Sequence, residues 1–121
     1  AIYPHVHWSH ADGLGTTGTV RWGFEYTIAK GHQQSNFAAT ATVYVEQAVG
    51  AGGSWHHYVG EVSTGITSTE LEPDSVVMMR VFRDATHAND TFTFSAFGLF
   101  VDLHVQVDRT STLNKAPNFY T

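Results

Sequence analysis

The sequence predicts an all-β domain, an antiparallel β-sandwich or jelly roll of about seven or eight strands, because short alternating segments recur at the spacing such folds use. Apolar residues alternate with period two through most of the 121 residues. No stretch fits a 3.6-residue apolar stripe better. Turns rich in Gly and Asx separate the runs, as in Ala11-Asp12-Gly13, Gly50-Ala51-Gly52-Gly53 and His87-Ala88-Asn89-Asp90.

A first short strand covers His5 to Trp8. Gly18 to Ala29 is the clearest strand, with Val20, Trp22, Phe24, Tyr26 and Ile28 on one side and Arg21, Glu25 and Thr27 on the other. In Phe37 to Val49, Phe37, Ala39, Ala41, Val43 and Val45 alternate with Thr40, Thr42, Tyr44 and Glu46, and the small alanines imply close sheet packing. Trp55 to Val62 and Ser75 to Arg83 are two further strands, divided by turn chemistry at Glu70-Leu71-Glu72-Pro73-Asp74. Val76, Met78 and Phe82 oppose Val77, Met79 and Val81, so both faces of the second are expected to be covered.

The run from Phe92 to Val107 changes phase. Phe92 and Phe94 share one parity, while Phe97, Leu99, Val101, Leu103, Val105 and Val107 share the other. A register shift is therefore expected near Gly98, as a bulge or as a bend where a strand passes between sheets. Beyond this run the pattern stops. The expected organisation is a sandwich over residues 1–108 and an extended C-terminal arm over 109–121, whose Phe119 and Tyr120 dock on a neighbouring subunit or on the chain's own body.

Composition narrows the function. With 42% hydrophobic, 13% aromatic and 14% charged residues, the chain is far from the disordered class and relies on large rings for burial. A net charge of -5 with six scattered Lys and Arg argues against nucleic acid and anionic membrane as partners, both of which need clustered positive charge. The longest apolar-leaning stretch is broken by Thr93, Ser95, Gly98, Asp102, His104 and Gln106, so no membrane helix is expected. Cysteine is absent, which removes disulfides, thiolate metal sites and a cysteine nucleophile. A start at Ala1, without Met or a charged leader, fits a processed chain or a piece of a longer one.

Eight histidines are the unusual feature. His5 and His7 lie one residue apart on a strand, so both imidazoles point the same way, as two ligands of one metal must. Such a pair could hold a structural ion, or hydrogen-bond across strands, or face solvent. On the last strand Asp102 and His104 share a polar face. If the first and last strands pair, His5, His7, Asp102 and His104 form one polar cluster. Trp55, His57 and Tyr58 follow a glycine-rich loop and offer two readings: a sugar-stacking or partner surface, or strand aromatics filling a core. Arg83, Asp84 and Asp90 bracket a loop, where local pairing is their simplest role.

His5-Val6-His7-Trp8 also resembles the zinc-binding strand of the α-class carbonic anhydrases. Where that family has a gatekeeping Glu-His-Thr, the matching stretch here reads Gly15-Thr16-Thr17-Gly18-Thr19-Val20, and His32 lies in an apparent loop between Gly31 and Gln33. No nucleophile elbow, phosphate loop, His-Glu-x-x-His or calcium-loop pattern occurs. The chain is therefore read as a non-enzyme that needs no cofactor.

Three further stretches carry a broader resemblance: Tyr3-Pro4-His5-Val6-His7-Trp8, Val20-Arg21-Trp22-Gly23-Phe24-Glu25-Tyr26, and Phe82-Arg83-Asp84 through Asp90-Thr91-Phe92 to Val101-Asp102-Leu103-His104. In order and spacing they resemble a group of small β-rich virion proteins of tailed bacteriophages. The resemblance implies a non-enzymatic virion component, a capsid decoration or a fibre or spike module. It would be a homotrimer in contact with other virion proteins. A carbohydrate-binding module that recognises a host-surface glycan is the first alternative, and a zinc enzyme using His5 and His7 the second.

Overall fold

The computed structural model describes residues 1–107 and 111–119. Among them are six strands and no helix: β1 (Ile2–Ser9), β2 (Gly18–Ala29), β3 (Ala41–Val49), β4 (Tyr58–Glu61), β5 (Val76–Arg83) and β6 (Phe97–Val105). They form two antiparallel three-stranded sheets, ordered β4-β1-β6 and β3-β2-β5.

Period two divides each strand between the space shared by the sheets and the outside. Val6 and Trp8 of β1 and Tyr58 of β4 meet Val20, Trp22 and Phe24 of β2 and Val49 of β3 in one buried cluster. Trp8 stacks on Tyr58 at 4.6 Å between ring centroids and tilts against Trp22 at 6.0 Å, which binds the sheets through their largest rings. A smaller cluster of Ile2, Ile28 and Ile66 closes one end. Gly60 sits closely packed at this interface. A Cβ there would lie 3.3 Å from Val45 and in ordinary contact with Val6 at 3.5 Å, so Val45 would have to give by a few tenths of an ångström.

The all-β prediction and the two-sheet arrangement agree with the structure, but the strand count and the jelly roll require correction. Six strands in two three-stranded sheets are too few for that topology. The segment expected as a strand from Trp55 is strand only from Tyr58, because Trp55 takes a left-handed conformation (φ 63°) that ends strand geometry. Phe92 and Phe94 also lie outside strands, in a loop anchored to β2. There the Thr91 and Phe92 amides donate to Thr19 O at 2.9 and 3.0 Å, and Gly18 (φ 143°) comes so close to Phe92 that a Cβ would lie 2.9 Å from its Cα.

The phase change is a bulge. His7 pairs with Phe100 and Trp8 with Gly98, leaving Leu99 as the extra residue, and β6 stays within one sheet. The expected double covering of Ser75–Arg83 fails on one side. Val77, Met79 and Val81 face inward, whereas Val76 and Met78 are exposed on the outer face. Phe119 of the arm is buried, and its carbonyl accepts the Leu113 and Asn114 amides; Tyr120 lies outside the described residues.

Candidate functional site: a histidine–carboxylate cluster

The outer face of the first sheet carries the unusual chemistry, and strand register assembles it. β1 is the central strand. Its odd-numbered residues face outward, so His5 stands between Glu61 of β4 and Asp102 of β6, its direct partners across the ladder. In the next row, His7 stands between Val59 and Phe100. His104 is opposite Tyr3, on the same face.

These neighbours cover the imidazoles. His5 is only 3% exposed although it points away from the core, because the His7 and His104 rings lie 4.9 and 4.2 Å from it, centroid to centroid. His7 is flanked by two parallel rings, Phe100 at 4.0 Å and His57 at 4.9 Å.

Each nitrogen of the pair has a definite environment. His5 Nε2 contacts Asp102 Oδ1, and His7 Nε2 lies 3.7 Å from the same oxygen. On the other side of His5, Nδ1 is 3.4 Å from Glu61 Oε2, which also lies 2.8 Å from His104 Nδ1. His7 Nδ1 is 2.7 Å from His57 Nε2. Two of these atoms, His5 Nδ1 and His7 Nε2, are buried without a hydrogen-bond partner. One ligand atom each from His5, His7 and Asp102 lie within 4.8 Å of one another; the same holds for His5, Glu61 and His104.

The expected group of His5, His7, Asp102 and His104 is thus together on one face. Glu61 and His57 were not anticipated as members. Glu61 enters through the β1–β4 register, which no spacing in the sequence reveals. His57 enters from a loop that is tied down by Ser9 Oγ donating to His56 O at 2.8 Å and by the Trp55 amide donating to His10 O at 2.7 Å.

The proposed aromatic surface of Trp55, His57 and Tyr58 is divided three ways. Trp55 is 68% exposed and stacks on Phe97, His57 turns to His7, and Tyr58 is core. These three side chains do not form one platform for a sugar.

Arg83 and Asp90 have the pairing role expected of them. The Arg83 guanidinium meets the Asp90 carboxylate at 2.6 and 2.9 Å, and the Arg21 amide donates to the same carboxylate at 3.0 Å. Burial pushes the Asp90 carboxyl upward, but the Arg83 hydrogen bonds, the Arg21 amide and the Arg83 charge outweigh it and hold the group below its ordinary range.

β6 is the second notable feature, being the edge strand of its sheet and exposed at every residue. Between it and the other sheet opens a groove of about 990 Å³, lined by Leu71, Val77, Leu103 and Val105 among others. No family model, curated protein or solved structure matches the chain.

Proposed function

We propose that the chain is a non-enzymatic structural module of a tailed-phage virion, a capsid decoration or a fibre or spike module, that works as a homotrimer. The virion assignment rests on the three resembling stretches, which fall on β1, β2 and the β5-to-β6 region. The single observation that favours an assembly role is the character of β6. Its Phe97, Leu99, Phe100, Val101, Leu103 and Val105 are each 37% to 57% exposed.

A nine-residue edge strand with apolar side chains on both faces is a liability for an isolated chain, because it presents unpaired backbone groups next to unburied rings. Apart from the Leu99 bulge, β6 has few of the usual protections. It contains no Lys or Pro, and its one charged residue, Asp102, is turned to His5. Such a strand is consistent with a surface that other copies cover in the particle.

Native mass spectrometry of the intact chain is expected to give a trimer, and Val105→Lys is expected to shift it to monomer while leaving the far-ultraviolet circular dichroism spectrum unchanged. A clean monomer at high concentration would overturn the proposal.

A further inference from the structure

We propose that His5 and His7, through their Nε2 atoms, and Asp102, through Oδ1, form a binding site for one divalent first-row transition metal ion of the zinc class. The site lies within a single chain and is independent of the assembly role.

Proton accounting carries the inference. A neutral imidazole has one N–H and one lone pair, so a partner that accepts at one nitrogen fixes what the other can do. His5 Nδ1 faces the Glu61 carboxylate, an acceptor, and His7 Nδ1 faces His57 Nε2, which accepts when His57 carries its proton on Nδ1. With the protons on the two Nδ1 atoms, both Nε2 lone pairs point toward Asp102 Oδ1. His7 Nε2 is then a buried acceptor with nothing to accept, aimed at an anionic oxygen. Three electron-rich atoms converging in this way repel one another unless a proton or a metal ion lies between them, and a metal ion engages all three at once.

The surroundings are those a metal-binding histidine requires. A ligating imidazole almost always gives its other N–H to a carboxylate, a carbonyl or a similar acceptor, which sets the tautomer and orients the ring. His57 pairs with His7 in this way at 2.7 Å, and Glu61 lies 3.4 Å from His5 Nδ1, placed to take its proton although no hydrogen bond is formed there. Glu61 is itself held by His104 Nδ1 at 2.8 Å. The Phe100 ring stacked on His7 restrains it further.

The alternative trio of His5, Glu61 and His104 shares the His5 ring, but it is less suited. Its Glu61–His104 pair already satisfies itself, and His104 is 64% exposed, against 15% for the His7 side chain. Two imidazole nitrogens and one carboxylate oxygen suit Zn²⁺, Co²⁺ or Ni²⁺, whereas Mg²⁺ and Ca²⁺ prefer all-oxygen shells. An ion there would tie the exposed edge strand β6 to the central strand β1.

The test titrates the full chain, first stripped with a chelator, with Zn²⁺ and separately with Co²⁺. The expected result is one ion per chain and a visible cobalt spectrum of low-symmetry nitrogen–oxygen ligation. A rise in Tm of roughly 8 °C is expected at about 100-fold excess over Kd, with Mg²⁺ and Ca²⁺ inert. His7→Gln and Asp102→Asn, both at partly exposed side chains and so less prone to misfolding than a His5 variant, should abolish the cobalt spectrum. Glu61→Gln and His57→Gln should weaken affinity about 10- to 100-fold while keeping the stoichiometry. The proposal is overturned if Zn²⁺ leaves Tm unchanged and Co²⁺ gives no ligand-field spectrum, if His7→Gln and Asp102→Asn bind like the parent, or if His104→Gln removes the ion while His7→Gln retains it.

Discussion

Two polar clusters in this molecule are each built around carboxylates and reach opposite outcomes. In one, the Asp90 carboxylate is 1% exposed and fully engaged by Arg83 and the Arg21 amide. The rest of the Arg83 guanidinium donates to Phe94 O at 2.6 Å and to Phe92 O. In the other, Asp102 and Glu61 flank His5, no Lys or Arg among the described residues belongs to the group, and two buried imidazole nitrogens are left without partners.

A guanidinium is always charged and presents a fixed fork of donors, so its pairing with a carboxylate is complete within the protein. An imidazole carries one proton for two nitrogens, and a cluster of imidazoles and carboxylates must obtain positive charge from a proton or a metal. The complete network locks a loop. The incomplete one marks a place for something else.

The largest expected effect comes from breaking the complete network. Asp90→Ala leaves the Arg83 guanidinium without its counter-ion and should cost about 3 kcal/mol in urea unfolding, the range for removing one partner of a buried pair. A loss below about 1 kcal/mol would mean that the clamp is dispensable and that the contrast with the histidine cluster is false.

Acid should act on the same pair. Because the folded Asp90 carboxyl lies below its unfolded range near pH 4, the unfolded chain binds the proton more readily. The clamp's contribution is therefore present above about pH 4 and is lost as pH falls through the folded value. Chemical unfolding followed from pH 6 downward should show this acid limb, and Asp90→Asn should flatten it. Glu46, held low by Asn89 and Arg21, and Glu25, held low by Arg80, titrate in the same direction.

The smallest effect belongs to the incomplete network. In metal-free protein, His7→Gln should cost about 1 kcal/mol, the worth of the one hydrogen bond between His7 Nδ1 and His57 Nε2, because His7 Nε2 has none to lose. A loss as large as that of Asp90→Ala would show that the cluster already holds itself together.

Much of this was legible in the chain. The alternation from Gly18 to Ala29 coincides with β2, the phase change near Gly98 is the Leu99 bulge, and His5, His7, Asp102 and His104 do share one face. The errors have local causes. Trp55 looks like a strand residue by its ring, but a left-handed backbone and the hydrogen bond its amide donates to His10 O place it in a loop. Phe92 alternates like strand, yet the Arg83 clamp and Thr19 hold it in a loop packed on the core. The apolar parity of β6 says that its residues prefer burial. It does not say that the opposite sheet stops short of them.

By itself the sequence determined which side chains share a face, because a β-strand turns every second residue the same way whatever surrounds it. Only the tertiary structure decided which residues stand opposite one another. Register is set by pairing between segments as far apart as His5 and Asp102, and a shift of one residue would turn every side chain of β6 to the other face. The observed register puts a carboxylate on each side of His5, which makes a pair of histidines into a candidate metal site.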